Sequence, residues 1–564
     1  MIIQEGALLR VETRTQTIIL ENGLITSLRS KMTGKEYVAC QGGDIPLIAH
    51  WRGGRGDAWP ASERCALNHG EVSVTPVSDT CAEILYHSWY GDGVLLIWEE
   101  PETGDLCVKP SVSSGRSGVK AAGWVLNGID GRLSAVVPAN QGVRLRLDDP
   151  MLAGGKFAWP YNWEIGLCVF ESDAGDGFWI HCRDTKYIFK DIHFGDGNRS
   201  GCIELLTEAY GPLDNNFSAG GVIWRVNCFE GGWRVPALIY RKWYYEAYQL
   251  EQEAANRQPW LKDIRMALCW QGADIRLLEE LAKKVDPHKV LIHLAAWRNA
   301  KYDQEYPDYW PSDEAAAYIR YGESLGFHIC PHMNAMEIDP THPVYSTLSA
   351  FQMQNVDDRT TYGWGWDGTY LGVPWSEYAR HDPKNRGLNI MTKIHPGSSL
   401  WQHELYTRLS KVANAFPISG CFTDVTLCLY NLHNALVEGR TCAEGMNDLN
   451  KLLSTIRGGM PIGGEGLNEI TAQHQSFAQM HLYCSTHDSS PALDRFGGDV
   501  AINDFILGDL CFTIGYANLA GINDDHLLRA KIYDDHNTVP TIICGRDLIE
   551  TPNAYVRSVP ERAQ

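Results

Sequence analysis

Two acidic residues stand out by where they fall in the chain. Asp424 is the one charged side chain in the apolar, β-prone run "SGCFTDVTLCLYN" at 419–431. Burying a lone carboxylate among Cys421, Phe422, Val425 and Leu427 is costly unless something uses it. Glu465 closes the short run "MPIGGEG", 41 residues further on. Two carboxylates flanking one point are what glycoside hydrolysis needs. One attacks or stabilises the anomeric carbon; the other protonates the leaving oxygen and later activates water. Burial and mutual repulsion would split their pKa values, leaving one ionised and one protonated. Asp424, low on a well-formed strand, suits the nucleophile. Glu465, longer and on a Gly-flanked tip, suits the acid/base. The competing readings are a carboxylate capping a βα turn for Asp424 and a solvated loop residue for Glu465. Glu469 is the nearest rival, but it stands where the next helix should start and reads as a first-turn acid.

The elements that must position this pair fall into two regions. Residues 1–248 carry many short alternating or apolar runs, such as "CAEILYHSWYGDGVLLIWEE" and "GGVIWRVNCFEGGW", separated by turn chemistry in "YGDG", "DAGDG" and "FEGG". Strands this numerous, with no helical periodicity between them, predict a large antiparallel sandwich. A helix then runs into a linker at 249–262, with Pro259 marking the stop. From 263 to 564 strands alternate with helices: "IRMALCW" then "ADIRLLEELAKKVD", "KVLIHLAAW" then "SDEAAAYIRYGESLG" with Ser312 as N-cap, and "FHICPHMNAMEID". After a long irregular insertion at 340–397 come the helix "SSLWQHELYTRLSKVANAF", the strand of Asp424, the helix "MNDLNKLLSTIRGG" and the strand of Glu465. "NEITAQHQSFAQMHLY" reads as a further helix. Alternation of this kind implies parallel strands with helical crossovers, and the length suits a (β/α)8 barrel. The last three strands are not placed by pattern, although "DFILGDLCFTIGYANLAGI" and "VPTIICGRD" are candidates.

Catalytic groups in such barrels sit at the C-terminal strand ends. By that rule Trp270, Trp297, Arg298, His332 and Asn334 belong to the mouth. Trp and His would hold a ring face and hydroxyls, and Arg298 could pair with a carboxylate or sulfonate; packing and structural salt bridges are the alternatives. The insertion holds "TTYGWGWDGTYLGVPW", whose Trp364, Trp366 and Asp367 suit a lid or subsite wall. No metal is expected: His328 and His332 share a face without a third ligand, and the two "DDH" stretches at 524–526 and 534–536 read as solvated turns. "GDGNRSG" lacks the context of a phosphate loop, and no cofactor is called for.

Composition narrows the partners. The net charge of −20 argues against nucleic acid and anionic membranes. The 19 Trp and 25 Tyr fit either large β cores or stacking platforms for sugars, and aromatic sandwich faces make a homodimer a candidate assembly. The N-terminus lacks a basic segment followed by an apolar one, no stretch has the ~20 apolar residues of a membrane span, and the 16 Cys are scattered without any CxxC. The expectation is a cytoplasmic protein with reduced cysteines.

"TIILENGLITSLRSKMTGKEYV", "HPGSSLWQHELYTRL", "GCFTDVT" and "IGGEGLNE" together resemble retaining α-glycosidases that join an N-terminal β-supersandwich (mutarotase-like) to a catalytic TIM-type barrel, above all the endo-α-N-acetylgalactosaminidase-like, family 101-type hydrolases. More distantly the chain resembles the α-galactosidase and α-glucosidase groups. The resemblance implies Asp424 as nucleophile, Glu465 as acid/base, a glycoside hydrolase activity and a small carbohydrate or glycoside substrate. Two other readings stay open: a catalytically inactive carbohydrate-binding protein on the same scaffold, and a transglycosylase or other sugar-active enzyme. The chain is short after the fifth strand, and the accessory β domains of the large secreted members are not seen in it.

Overall fold

In the computed structural model the described residues are all except 43–45, 53–62, 67–69, 89–90, 151, 196–200, 301–303, 365–368, 371–372, 375–390, 481–499, 516–533, 544 and 551–553. The first part of the chain forms antiparallel sheets of five, ten and six strands. Inward positions alternate as a pleated sheet requires: Gln16–Glu21 buries every second residue. Trp124, Trp163 and Trp224 are fully buried in this core, with Trp163 stacked on Trp224 at 6.2 Å. Much of the tryptophan content is therefore core.

The helix Arg234–Tyr248 ends at Gln249, whose φ of 55° breaks it from the short helix Leu250–Ala255. The 3-10 turn Pro259–Asp263 then leads into the barrel. The eight parallel strands are β1 (Met266–Gly272), β2 (Val290–Ala296), β3 (His328–Asn334), β4 (Cys421–Asp424), β5 (Ile462–Glu465), β6 (Phe477–Met480), β7 (Phe512–Gly515) and β8 (Thr541–Ile543). They are adjacent in this order, with β8 beside β1. The ring closes through a parallel bridge between Ile514 and Val539 and a bond of 2.8 Å from Val539 N–H to the Thr513 carbonyl.

Several helices form where pattern predicts them. Ser312 caps Asp313–Leu325 through a bond from Ala315 N–H, and Thr441 with Glu444 makes a reciprocal capping box on Cys442–Ser454. Two readings need correction. "NEITAQHQSFAQMHLY" is not a helix: it holds the 3-10 turn Thr471–Gln473 and then β6. Its apolar residues Phe477 and Ala478 serve the two sides of one strand, Phe477 in the barrel interior and Ala478 against the sandwich. The run beginning "DFILGDL" is helical at Ile502–Leu507, and among its described residues only Phe512–Gly515 is strand. The described residues of the insertion include short strands. Met391–Lys393 pairs antiparallel with both Glu337–Ile338 and Gly363–Trp364, building a small sheet above β3.

Two packed regions hold the parts together. Ala267, Cys269, Leu291, Cys330, Phe422, Phe477 and Ile514 fill the barrel interior. Outside it, Leu467, Ala472, Ala478, Val500 and Ile502 pack on the sandwich residues Ile165, Leu167 and Trp179 and on Ala237 and Tyr240 of the first helix. Glu469 sits in this seam. Its carboxylate accepts bonds from Trp159 Nε1–H, Tyr240 O–H (2.7 Å) and Gly166 N–H (3.4 Å). It is an inter-domain anchor, not the first-turn acid of a helix.

Candidate active site

Residues of one face of a strand alternate, so a barrel interior is read off in steps of two. On β4, Phe422 lies in the interior, so Asp424 shares its face at the C-terminal end. Register carries this to both neighbours. Asn334 on β3 pairs with Asp424. On the other side Phe422 pairs with Gly463 and Thr423 with Gly464, which sets Glu465 one step further along beside Asp424. Glu465 in turn pairs with Gln479 on β6.

The turn after Asp424 ties the two acids together. Val425 has φ 65°, a left-handed conformation that a β-branched residue adopts only under constraint. Its N–H donates to Glu465 Oε2 at 3.1 Å, and Thr426 O–H donates to the Glu465 carbonyl at 2.8 Å. The backbone bend thus fixes the second carboxylate against the base of the first. Asp424 is 9% exposed, and Glu465 is half-buried.

Beneath the carboxylates the barrel is closed by aromatic rings. Phe422 stacks on His293 at 4.0 Å, and Trp270 meets His293 at 4.9 Å and His332 at 5.4 Å. Trp270 occupies an irregularity in β1 with φ 58°, which turns it out of the strand's alternation. His293 and His332 are joined by a ring-nitrogen bond of 3.0 Å, and His332 Nε2 lies 3.9 Å from Asp424 Oδ2. Burial holds His293 down to about 3, and burial with the neighbouring His293 and Arg298 holds His332 well below its usual value. Both rings are neutral at pH 7.

The mouth continues through Asn334, Glu337 and Lys393. Asn334 Nδ2–H donates to Glu337 Oε2 at 2.8 Å, while Asn334 Oδ1 accepts from the Glu337 N–H at 2.8 Å. Lys393 Nζ forms an ion pair with Glu337. Burial opposes the Lys393 charge, but Glu337, with smaller contributions from Cys428 and Glu465, more than offsets it and raises the ammonium pKa. The small sheet of the insertion thus delivers a cation into electrostatic reach of Glu465.

The other predicted mouth residues divide. Trp297 is 2% exposed and donates its indole N–H to the His332 carbonyl at 2.7 Å, bracing β2 to β3. Arg298 donates to the carbonyls of Gln304 (2.8 Å) and Asp308 (3.1 Å) and lies over the Tyr306 ring at 4.2 Å. It organises the loop before the Ser312 cap. Trp364 is on a two-residue strand of the insertion, and its side chain, like Trp366 and Asp367, lies outside the described residues.

Sequence reasoning missed His293, Glu337, Lys393 and Gln479. His293 carried the same signal as Asp424, a single polar side chain in the apolar run "VLIHLAA". Gln479 was hidden by the helical reading of its segment. No group of three or more His, Cys, Asp or Glu side chains able to hold a metal occurs among the described residues. No described helix is long and apolar enough to cross a membrane, and the thirteen cysteines whose side chains are described are free thiols.

Comparison with known proteins agrees with this architecture. The ligand-free α-N-acetylgalactosaminidase NagBb from Bifidobacterium bifidum superposes with a TM-score of 0.67, covering 100% of this chain and 92% of that one at 14% identity. A GH31 family sulfoquinovosidase from E. rectale superposes with a TM-score of 0.56 over 100% and 81% of the two chains at 10% identity. The fold is one that α-glycosidases use. The profile of a family described as a domain of unknown function, DUF6259, matches residues 222–434. That stretch runs from the last sandwich strand past Asp424. A Bacteroides thetaiotaomicron protein, named provisionally as a glycoside hydrolase, is 24% identical over 207 residues, which is 35% of this chain. The match spans 28% of that relative's length.

Proposed function

We propose that the protein is a retaining glycoside hydrolase acting on α-glycosides. The observation that carries the reading is the placement of Asp424 and Glu465 at the C-terminal ends of adjacent parallel strands, with Glu465 Oε2 bonded to the N–H that follows Asp424. Neighbouring strands lie about 4.8 Å apart. That spacing favours the separation of about 5–5.5 Å used in double displacement over the roughly 6.5–9.5 Å that leaves room for water in inversion.

In this scheme Asp424 attacks the anomeric carbon while Glu465 protonates the departing oxygen. Glu465 then takes a proton from the water that hydrolyses the glycosyl ester. The aromatic closure of Trp270, His293 and Phe422 limits water from below. The α preference is supported by the activity named for one superposing protein, an α-N-acetylgalactosaminidase. The loop-bracing role of Arg298 speaks for a neutral sugar over an anionic one.

The test is a panel of nitrophenyl α- and β-glycosides headed by the α-N-acetylgalactosaminide, with the product anomer read by NMR. The expected result is α-selective turnover, an α product formed first, and loss of turnover in Asp424→Asn with sugar binding intact. Cleavage of β-linked substrates alone, or a β product formed first, refutes the reading. Sugar binding without turnover of any glycoside would mark a binding protein.

A further inference from the structure

The barrel core holds one feature that neither packing nor the two carboxylates require: a pair of fully buried imidazoles. His293 and His332 are 0% and 1% exposed, among Phe422, Cys269 and Leu291. A polar ring in such a place is costly unless its nitrogens are used. Their hydrogen bonds set a direction. Trp270 N–H donates to His293 Nδ1 at 3.4 Å, so in the neutral ring the proton sits on His293 Nε2. That nitrogen faces His332 Nδ1 at 3.0 Å, and donation there makes Nδ1 the acceptor and leaves the His332 proton on Nε2. His332 Nε2 is the atom 3.9 Å from Asp424 Oδ2.

We infer that His332 is a positioning residue for Asp424 and that His293 acts through it by fixing its tautomer. The neutral Nε2–H, one small side-chain rotation from hydrogen-bond distance, orients the carboxylate toward the mouth and favours its ionised form. A neutral donor suits a nucleophile better than a cation would, because it holds the carboxylate without cancelling its charge. The other charged or titratable groups around Asp424 are Glu465 on β5, Arg298 beyond β2, and the Glu337–Lys393 pair above β3. The inference rests on Asp424 acting as the nucleophile.

The test compares pH profiles of kcat/KM for the wild type, His332→Phe, His332→Gln and His293→Phe. In His332→Phe the acid limb moves up by about one pH unit, the scale on which one donor acts on a carboxylate. His332→Gln, which keeps an N–H near the Nε2 position, returns the limb to within a few tenths of a unit of wild type, and His293→Phe falls between. An unchanged acid limb in His332→Phe, with only thermal stability altered, overturns the inference. Nitrogen NMR of the histidine tautomers tests the chain without turnover: His332 is protonated on Nε2 in the wild type and becomes mixed in His293→Phe. A His332 protonated on Nδ1 in the wild type also overturns it. If no glycoside is turned over by the wild type, the proposed function fails and the tautomer measurement still decides this point.

Discussion

Glu164→Gln should remove a pH-dependent loss of stability that is built into the seam between sandwich and barrel. Glu164 Oε2 accepts bonds from Gln141 N–H (3.1 Å) and from Asn503 Nδ2–H (2.6 Å), and the Glu164 carbonyl accepts from Glu469 N–H (2.9 Å). Burial pushes its carboxyl from 4.5 up to about 8, against the two hydrogen bonds that favour ionisation. The native state therefore holds a proton that the unfolded chain gives up near pH 4.5. Below that pH both states are protonated and the contribution to stability is fully present. As pH rises from 4.5 to 8 only the unfolded state ionises, so stability falls at about 1.4 kcal/mol per pH unit and then levels off. Over that interval the loss comes to about 5 kcal/mol. For a chain of this length the unfolding entropy is about 1.2 kcal/mol per kelvin, so the loss corresponds to about 4 °C in Tm if the chain unfolds as one unit. Gln keeps the acceptor and cannot ionise. The assay is differential scanning calorimetry of wild type and variant from pH 5 to 8.5. Subtracting the two cancels every other titrating group. The variant should gain on the wild type by about 3 °C across the range, since part of the loss lies below pH 5. A difference that stays flat refutes the buried, protonated Glu164.

Glu469→Ala strands the Tyr240 hydroxyl, the Trp159 indole N–H and the Gly166 N–H in the seam; denaturant unfolding should show a loss of about 3 kcal/mol or more, and Glu469→Gln much less. Gly463→Ala would place a Cβ 2.0 Å from the Phe477 ring inside the barrel, so reduced Tm and lowered kcat together are expected, a cost of about 1–3 kcal/mol. Gln479 is fully buried, and neither atom of its amide meets a hydrogen-bond partner among the described residues; Gln479→Leu should therefore raise stability, by about 1 kcal/mol in urea titrations. Lys393→Met leaves Glu337 buried without its cation and should cost about 3–5 kcal/mol, which circular-dichroism melts can measure.

Much of this molecule was legible because burial leaves a signature in one dimension. Alternation of apolar and polar residues announced the sandwich, and the shift to strands separated by amphipathic segments announced the barrel. Ser312 marked a helix start by a local code that needs no partner. A lone acid in an apolar run marked Asp424, and glycines around Glu465 marked a strand tip, because those features cost free energy wherever the chain ends up. The tertiary structure decided the rest. Whether "QSFAQM" is strand or helix depends on Phe477 finding the barrel interior and Ala478 the sandwich, a two-sided burial that a short segment cannot declare. Glu469 looked like the first-turn acid of a helix until Tyr240 and Trp159, more than two hundred residues away, supplied its partners. Lys393 became part of the mouth only because an insertion strand pairs with Glu337–Ile338, just beyond β3. Local periodicity and local cost are properties of neighbours in sequence; pairing, register and the company a buried charge keeps are properties of neighbours in space.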